Sequence, residues 1–266
     1  MEPTLLAVVG AAAGAVYLAM TGLFLLSLRL RDNSIADIAY GPMFAIGAWA
    51  ATLAYGSGHP RQLLLAAMVT VWGLRLAVHI GIRNHGRGED PRYRAWRERW
   101  GRWVVPRSFL QVYVLQGTIV LVISAPVLLA VWQPGGPLGP IDAAGVLVWA
   151  VGLVFEAVGD AQLLRFVRDP SRRGLVLDTG LWRYTRHPNY FGEALLWWGP
   201  FLVALSTPHG VWAIVSPLTI GGLLLFVSGI PMLEARMARS PAFRAYQART
   251  SAFIPWFPRR GSIPPR

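Results

Sequence analysis

The 266-residue sequence contains no cysteine. Disulfide staples, thiolate nucleophiles and cysteine-ligated metals are therefore excluded. It contains no lysine either, since all 25 basic residues are arginine. That removes Schiff-base chemistry and the phosphate-loop lysine. Acid is scarce, with 13 Asp and Glu against those 25 arginines and a formal charge of +12. No HExxH, no histidine-rich cluster and no di-iron carboxylate spacing occurs, so no metal site is expected. A basic excess can signal nucleic acid, but here no basic face alternates with a soluble core. Anionic headgroups or a phosphorylated cofactor are the expected partners, and nucleic acid is not.

What the chain has in abundance is apolar residues: 54% of the total, with 12 Trp. This is the composition of a polytopic membrane protein. The reading is all-α, a single membrane domain over 1–266 built as a bundle of seven transmembrane helices. The spans are expected near 5–28, 34–55, 63–82, 109–132, 143–164, 188–206 and 211–233, followed by a cytoplasmic tail, 234–266, with a short helix starting at Ser240-Pro241. Arginines alternate from loop to loop: dense after the first, third and fifth segments and in the tail, and sparse elsewhere. The positive-inside rule then puts the N-terminus outside and the C-terminus in the cytoplasm, in what is expected to be a bacterial inner membrane. The N-terminus lacks the basic region of a cleavable signal. Gly10, Gly14 and Gly22 offer close contact between helices.

Several segments carry ionisable groups, which are costly in lipid and so face one another or a wet cavity. Asp37 lies near the start of the second segment, with Tyr40 just beyond. Arg75 and His79 are four apart on the third, as are Glu156 and Asp160 on the fifth. Arg165 and Arg168 follow. Asn189 and Glu193 share a face at the start of the sixth segment, where Pro188 suits the first helical turn. Structural ion pairs, such as Arg75 with Asp160, are the alternative to a functional cavity. The turn from Arg83 to Tyr93 mixes glycine with arginine, as an anion-binding loop would, and Asn84 and Arg87 are its expected ligand contacts. Arg92–Trp103 reads as an interfacial segment.

The stretch Thr179-Gly-Leu-Trp-Arg-Tyr-Thr-Arg-His-Pro-Asn-Tyr-Phe-Gly-Glu193 resembles the signature of the membrane steroid 5-alpha-reductase family, in its bacterial branch. Further matching stretches are Ser34–Gly41, Trp72–His79, Asn84–Tyr93, Asp160–Leu163 and Ala245–Pro255, so the resemblance covers roughly residues 30 to 258. It implies NADPH bound from the cytoplasmic side, and hydride transfer to the beta carbon of a hydrophobic enone arriving from the bilayer. Asn189 and Glu193 would hold the nicotinamide amide. Asp160, Arg165, Arg168, Asn84 and Arg87 would surround ribose and phosphates, and Tyr246 and Arg249 would close over the cofactor. Arg75, His79, Tyr184 and Arg186 would complete that pocket. Asp37 would act as the acid at the substrate carbonyl. Trp72 falls on the substrate side where the steroid enzymes have a tyrosine, and it cannot deliver a proton; Tyr40 is the candidate to replace that phenol.

Two alternatives stay open at this level. An S-adenosylmethionine-dependent membrane methyltransferase of an isoprenoid or phospholipid shares the Arg-His-Pro-x-Tyr-x-Gly core, though it usually has two adjacent glutamates where this chain has Glu234-Ala235. A non-catalytic sterol- or lipid-binding membrane protein would keep the bundle without turnover.

Overall fold

The computed structural model describes residues 3–259. In order, the α-helices are α1 (Leu5–Leu30), α2 (Ile35–Tyr55), α3 (Pro60–Asn84), α4 (Pro91–Trp100), α5 (Val104–Ser108), α6 (Leu115–Ile123), α7 (Ala125–Trp132), α8 (Pro140–Arg168), α9 (Pro188–Ala204), α10 (Val215–Gly222), α11 (Ile230–Met237) and α12 (Pro241–Arg249). Among the described residues no strand forms, and one isolated backbone bridge joins Thr185 to Ser251. Five helices open on proline (α3, α4, α8, α9 and α12). There the missing N–H is one that the helix would leave unpaired anyway.

Among the described residues six helical stretches are long and apolar enough to cross a membrane: Leu5–Leu30, Ile35–Tyr55, Pro60–Asn84, Pro91–Ile123, Pro140–Arg168 and Gly210–Met237. The chain is an integral membrane protein by that measure. The fourth and sixth segments differ most from the expectation, and the fourth stretch ends at Ile123, before a separate α7. The fourth stretch begins at Pro91, because the Arg/Trp segment is itself helical and runs through a π-helical stretch, Phe109–Val114, into α6. The sixth expected segment ends at Ala204 and has 17 residues, short of the roughly 20 that a span usually needs.

The chain divides into two compact units, Met1–Ala143 with Pro200–Ser216, and Ala144–Gly199 with Pro217–Arg266. In the first, α1 buries Val8, Ala12, Val16, Met20 and Phe24 at helical spacing. Gly47 of α2 lies against Val16. α2 and α3 meet backbone to backbone, so that a Cβ on Gly41 would lie 2.3 Å from the Gly73 carbonyl oxygen. Arg61, fully buried on α3, ties down the Gly/Pro loop before α8. It pairs with both oxygens of Asp142 (2.8 and 2.9 Å) and donates to the carbonyls of Pro134, Gly136 and Pro137. A guanidinium offers five donors in one plane, which is what a loop with three inward carbonyls requires.

In the second unit, α8 and α9 are joined along a glycine seam. Gly145, Gly152 and Gly159 recur every seven residues on α8, and Gly192 and Gly199 on α9. A Cβ at Gly192 would come within 2.3 Å of the Glu156 backbone nitrogen and 2.7 Å of the Gly152 carbonyl oxygen. One at Gly199 would meet the Gly145 carbonyl oxygen at 2.6 Å. Gly10, Gly14 and Gly22, expected from sequence to make such contacts, have nothing within 4 Å of where a Cβ would stand. The Gly192→Ala variant is therefore expected to lose about 1–3 kcal/mol of stability through overpacking. Gly14→Ala should stay within about 0.5 kcal/mol of the parent. Thermal melts in mild detergent compare the two, and equal effects would contradict the seam.

Candidate functional site

Within the second unit the seam fixes what lies at its end. Gly159 admits the backbone of Asn189 to close contact, and the Asn189 side chain then donates from Nδ2 to Asp160 Oδ1 at 3.1 Å. A carboxylate only accepts, so the amide nitrogen must face it and the amide oxygen must point elsewhere. Asp160 is 6% exposed. Glu193 sits one turn further along α9, half-buried, on the same face as Asn189.

Beyond Asp160 the last turns of α8 open on a cavity of about 280 Å³ lined by Gln162, Arg165, Phe166, Asp169, Arg172, Leu177 and Thr179. Gly180, with φ +61°, wraps the chain over Gln162, and Gln162 Oε1 accepts from the Leu181 N–H at 3.0 Å. Arg172 is drawn to Asp169 at 3.0 Å and lies over the Phe166 ring. Arg165 is exposed, and its guanidinium has no partner among the described residues. Arg168 is exposed on the last turn of the same helix.

The Arg-His-Pro segment has a different role. Arg186 grips Glu234 of α11 through Nε (2.7 Å) and Nη2 (3.0 Å), and its third nitrogen donates to the carbonyls of Gln247 and Thr250. His187 Nε2 lies 3.0 Å from the same carboxylate, and Gln247 Nε2 donates to it at 3.0 Å. Glu234 thus fastens the start of α9 to α12. Its part was missed from sequence; the available signal was a lone acid immediately after the apolar run ending at Leu233. Tyr246 is 2% exposed, and its hydroxyl donates to the Trp182 carbonyl. Burial pushes that phenol well above its ordinary range. Arg249 pairs with Asp178 and lies over the Tyr246 ring. Tyr184 is exposed, edge-on to Phe257 at 5.9 Å. Arg186 and Tyr246 are accordingly engaged in holding the fold.

The first unit carries the other sequence candidates. Asp37, in the first turn of α2, accepts from the Tyr93 hydroxyl at 2.6 Å and pairs with Arg92 at 2.7 Å. Asp90 caps α4 through the Arg92 N–H and also binds the Arg92 side chain. Burial works against its charge, but Arg92 outweighs it and holds the Asp90 carboxyl below its ordinary range. Glu89 takes Arg97 at 2.7 Å and the Asn33 N–H at 3.0 Å. The Gly/Arg turn is thus braced by its own acids, leaving Arg87 exposed. Asn84 closes α3 and accepts from Arg83 at 3.3 Å. Trp72 is fully buried against Phe44, which also lies edge-on to Tyr40. Arg75 and His79 are half-buried on α3.

His187, 2% exposed, is held below the ordinary 6.5 by burial, with Glu234 pulling the other way and Arg186 adding to the depression. A depressed folded value means that the unfolded chain binds the proton more readily. The histidine's contribution is complete above pH 6.5 and is lost as pH falls through the folded value. Melting temperature is expected to decline just below that pH, and His187→Gln should flatten the decline. An unchanged profile would remove His187 as its source.

A relative from Schizosaccharomyces pombe (strain 972 / ATCC 24843), "Uncharacterized protein C594.04c", is 24% identical over 230 residues. The alignment covers 76% of this chain and 66% of the relative, so the chain spans just under two thirds of that protein's length. No solved structure matches the chain. Residues 23–250 match the family model described as "Protein of unknown function (DUF1295)", and the chain belongs to that family.

Proposed function

We propose that the protein is an NADPH-dependent reductase that transfers hydride to the conjugated carbon–carbon double bond of a hydrophobic enone, steroid-like or isoprenoid. The observation that carries this reading is the orientation of Asn189 by Asp160. With its nitrogen committed to the carboxylate, the amide presents a carbonyl oxygen and one N–H. That pair is complementary to the carboxamide of a nicotinamide ring. Glu193, on the same helix face, supplies a second acceptor. The nearby cavity, about 280 Å³, is too small for a dinucleotide but has room for a phosphate and part of a ribose. Arg165 and Arg172 would receive the phosphate, which would compete with Asp169 for Arg172.

NADPH supplies the hydride when bound, while the chain's own residues orient and exclude. In this reading α9 is a seventh span, the N-terminus is outside, and the arginine-rich end with α12 faces the cytoplasm. Asp37 is assigned to the substrate carbonyl. For an acid role it must give up Arg92 and take on a proton, and Tyr93, its hydrogen-bond partner, is the group that keeps it oriented meanwhile. Tyr40 and Trp72 fall on the substrate side, and Trp72 serves there as packing.

Arg186 and His187 are the part of the motif shared with membrane methyltransferases, and both are engaged by Glu234. They therefore do not favour methyl transfer, whereas Asn189 and Glu193 distinguish the reductase reading.

Purified protein is expected to quench on NADPH addition and to oxidise NADPH when given a lipophilic enone. Asn189→Ala and Asp160→Asn should each weaken NADPH binding about tenfold, the loss of one hydrogen bond of about 1.4 kcal/mol. Unchanged affinity in both variants, or retention of S-adenosylmethionine in place of NADPH, would overturn the assignment.

A further inference from the structure

The residues after α12 return to the start of α9 and are pinned there by the backbone. The Arg186 N–H donates to the Ser251 carbonyl at 2.9 Å, and the Thr185 hydroxyl to that of Phe253 at 2.8 Å. The Trp256 N–H donates to the Tyr184 carbonyl at 2.9 Å. Phe253 turns inward against Phe191, ring centroids 5.7 Å apart. The next apolar side chains do the opposite. Ile254, Trp256 and Phe257 are 65%, 71% and 74% exposed, although the chain that bears them is tied down.

In water such a cluster is opposed by the hydrophobic effect, because the pinned backbone holds these side chains outward rather than inward as it holds Phe253. Its backbone is suited to a less polar medium. Pro255 and Pro258 have no N–H, and the Trp256 N–H is already satisfied. An irregular segment is excluded from lipid chiefly by unpaired backbone donors, and here few remain. Tryptophan is the side chain that settles where acyl chains meet headgroups. Tyr184, edge-on to Phe257, adds a second amphipathic ring. Arg259 closely follows the segment in sequence and Arg183 directly precedes Tyr184, and both supply the charge that anionic headgroups attract. The segment also lies where the apolar run of α9 begins.

We propose that Ile254–Phe257 is a membrane-interface anchor, seated at the acyl–headgroup boundary of an anionic leaflet at the N-terminal end of α9. By holding this strap, the bilayer also holds the end of α12. The inference is independent of the reductase reading.

The absence of cysteine makes the test direct. Phe257→Cys and, separately, Ile254→Cys are labelled with an environment-sensitive fluorophore in nanodiscs of phosphatidylglycerol and phosphatidylcholine, with Arg173→Cys in an exposed turn as control. The labels at 257 and 254 are expected to emit further to the blue than the control. Quenching by lipids with a nitroxide high on the acyl chain should be several-fold stronger for them than for the control, and quenching by aqueous iodide weaker. Iodide quenching equal to the control at both positions would overturn the proposal. So would protection from both quenchers, which would place the strap against protein.

Discussion

The proposed site depends on a close approach between two backbones. α8 and α9 touch at glycines spaced seven apart, where backbone meets backbone. In lipid no hydrophobic effect drives helices together, so close packing and the polar contacts it permits carry the association. The seam does both. It brings the helices near enough for contact along their length, and at its end it fixes the register in which Asn189 meets Asp160. The amide's orientation, and with it the proposed nicotinamide contact, follows from the seam.

Arginine does the tying elsewhere, and it does so in one way throughout. Arg61 closes a Gly/Pro loop on Asp142, Arg92 and Arg97 brace the turn after α3 on Asp90, Asp37 and Glu89, and Arg186 fastens α12 through Glu234. Each uses the planar fork to satisfy a carboxylate, and Arg61 and Arg186 take carbonyls as well, a task a lysine ammonium performs less well. The consequence for function is a division among cations that look alike in sequence. Arg61, Arg92, Arg97 and Arg186, already matched to acids, hold loops. Arg87 and Arg165, exposed and without a guanidinium partner among the described residues, remain able to meet a ligand's charge.

The helices were largely legible in the sequence because apolar runs and N-terminal prolines act locally. Pro188 and Pro241 start helices for the reason that proline fits a first turn. Helix contacts were not legible in the same way. Gly10, Gly14 and Gly22 have the spacing of a packing face yet touch nothing, while Gly152, Gly192 and Gly199 make the contact. Glycine records only that an approach is allowed, and the partner decides whether it occurs. Partners distant in sequence were equally hidden. Tyr93 reaches Asp37 across 56 residues, and Glu234 reaches Arg186 across 48. Asn189 and Asp160 were each singled out by being polar on an apolar helix, but their mutual hydrogen bond depends on the seam, which only the fold reveals.

Hydrogen exchange of the protein in nanodiscs, with and without NADPH, tests most directly whether that seam frames a nucleotide site. The account predicts that NADPH slows exchange in peptides covering 160–169 and 186–193, while peptides from the start of α1 are unaffected. Equal exchange in both peptides with and without NADPH, or slowing by S-adenosylmethionine in its place, would contradict it.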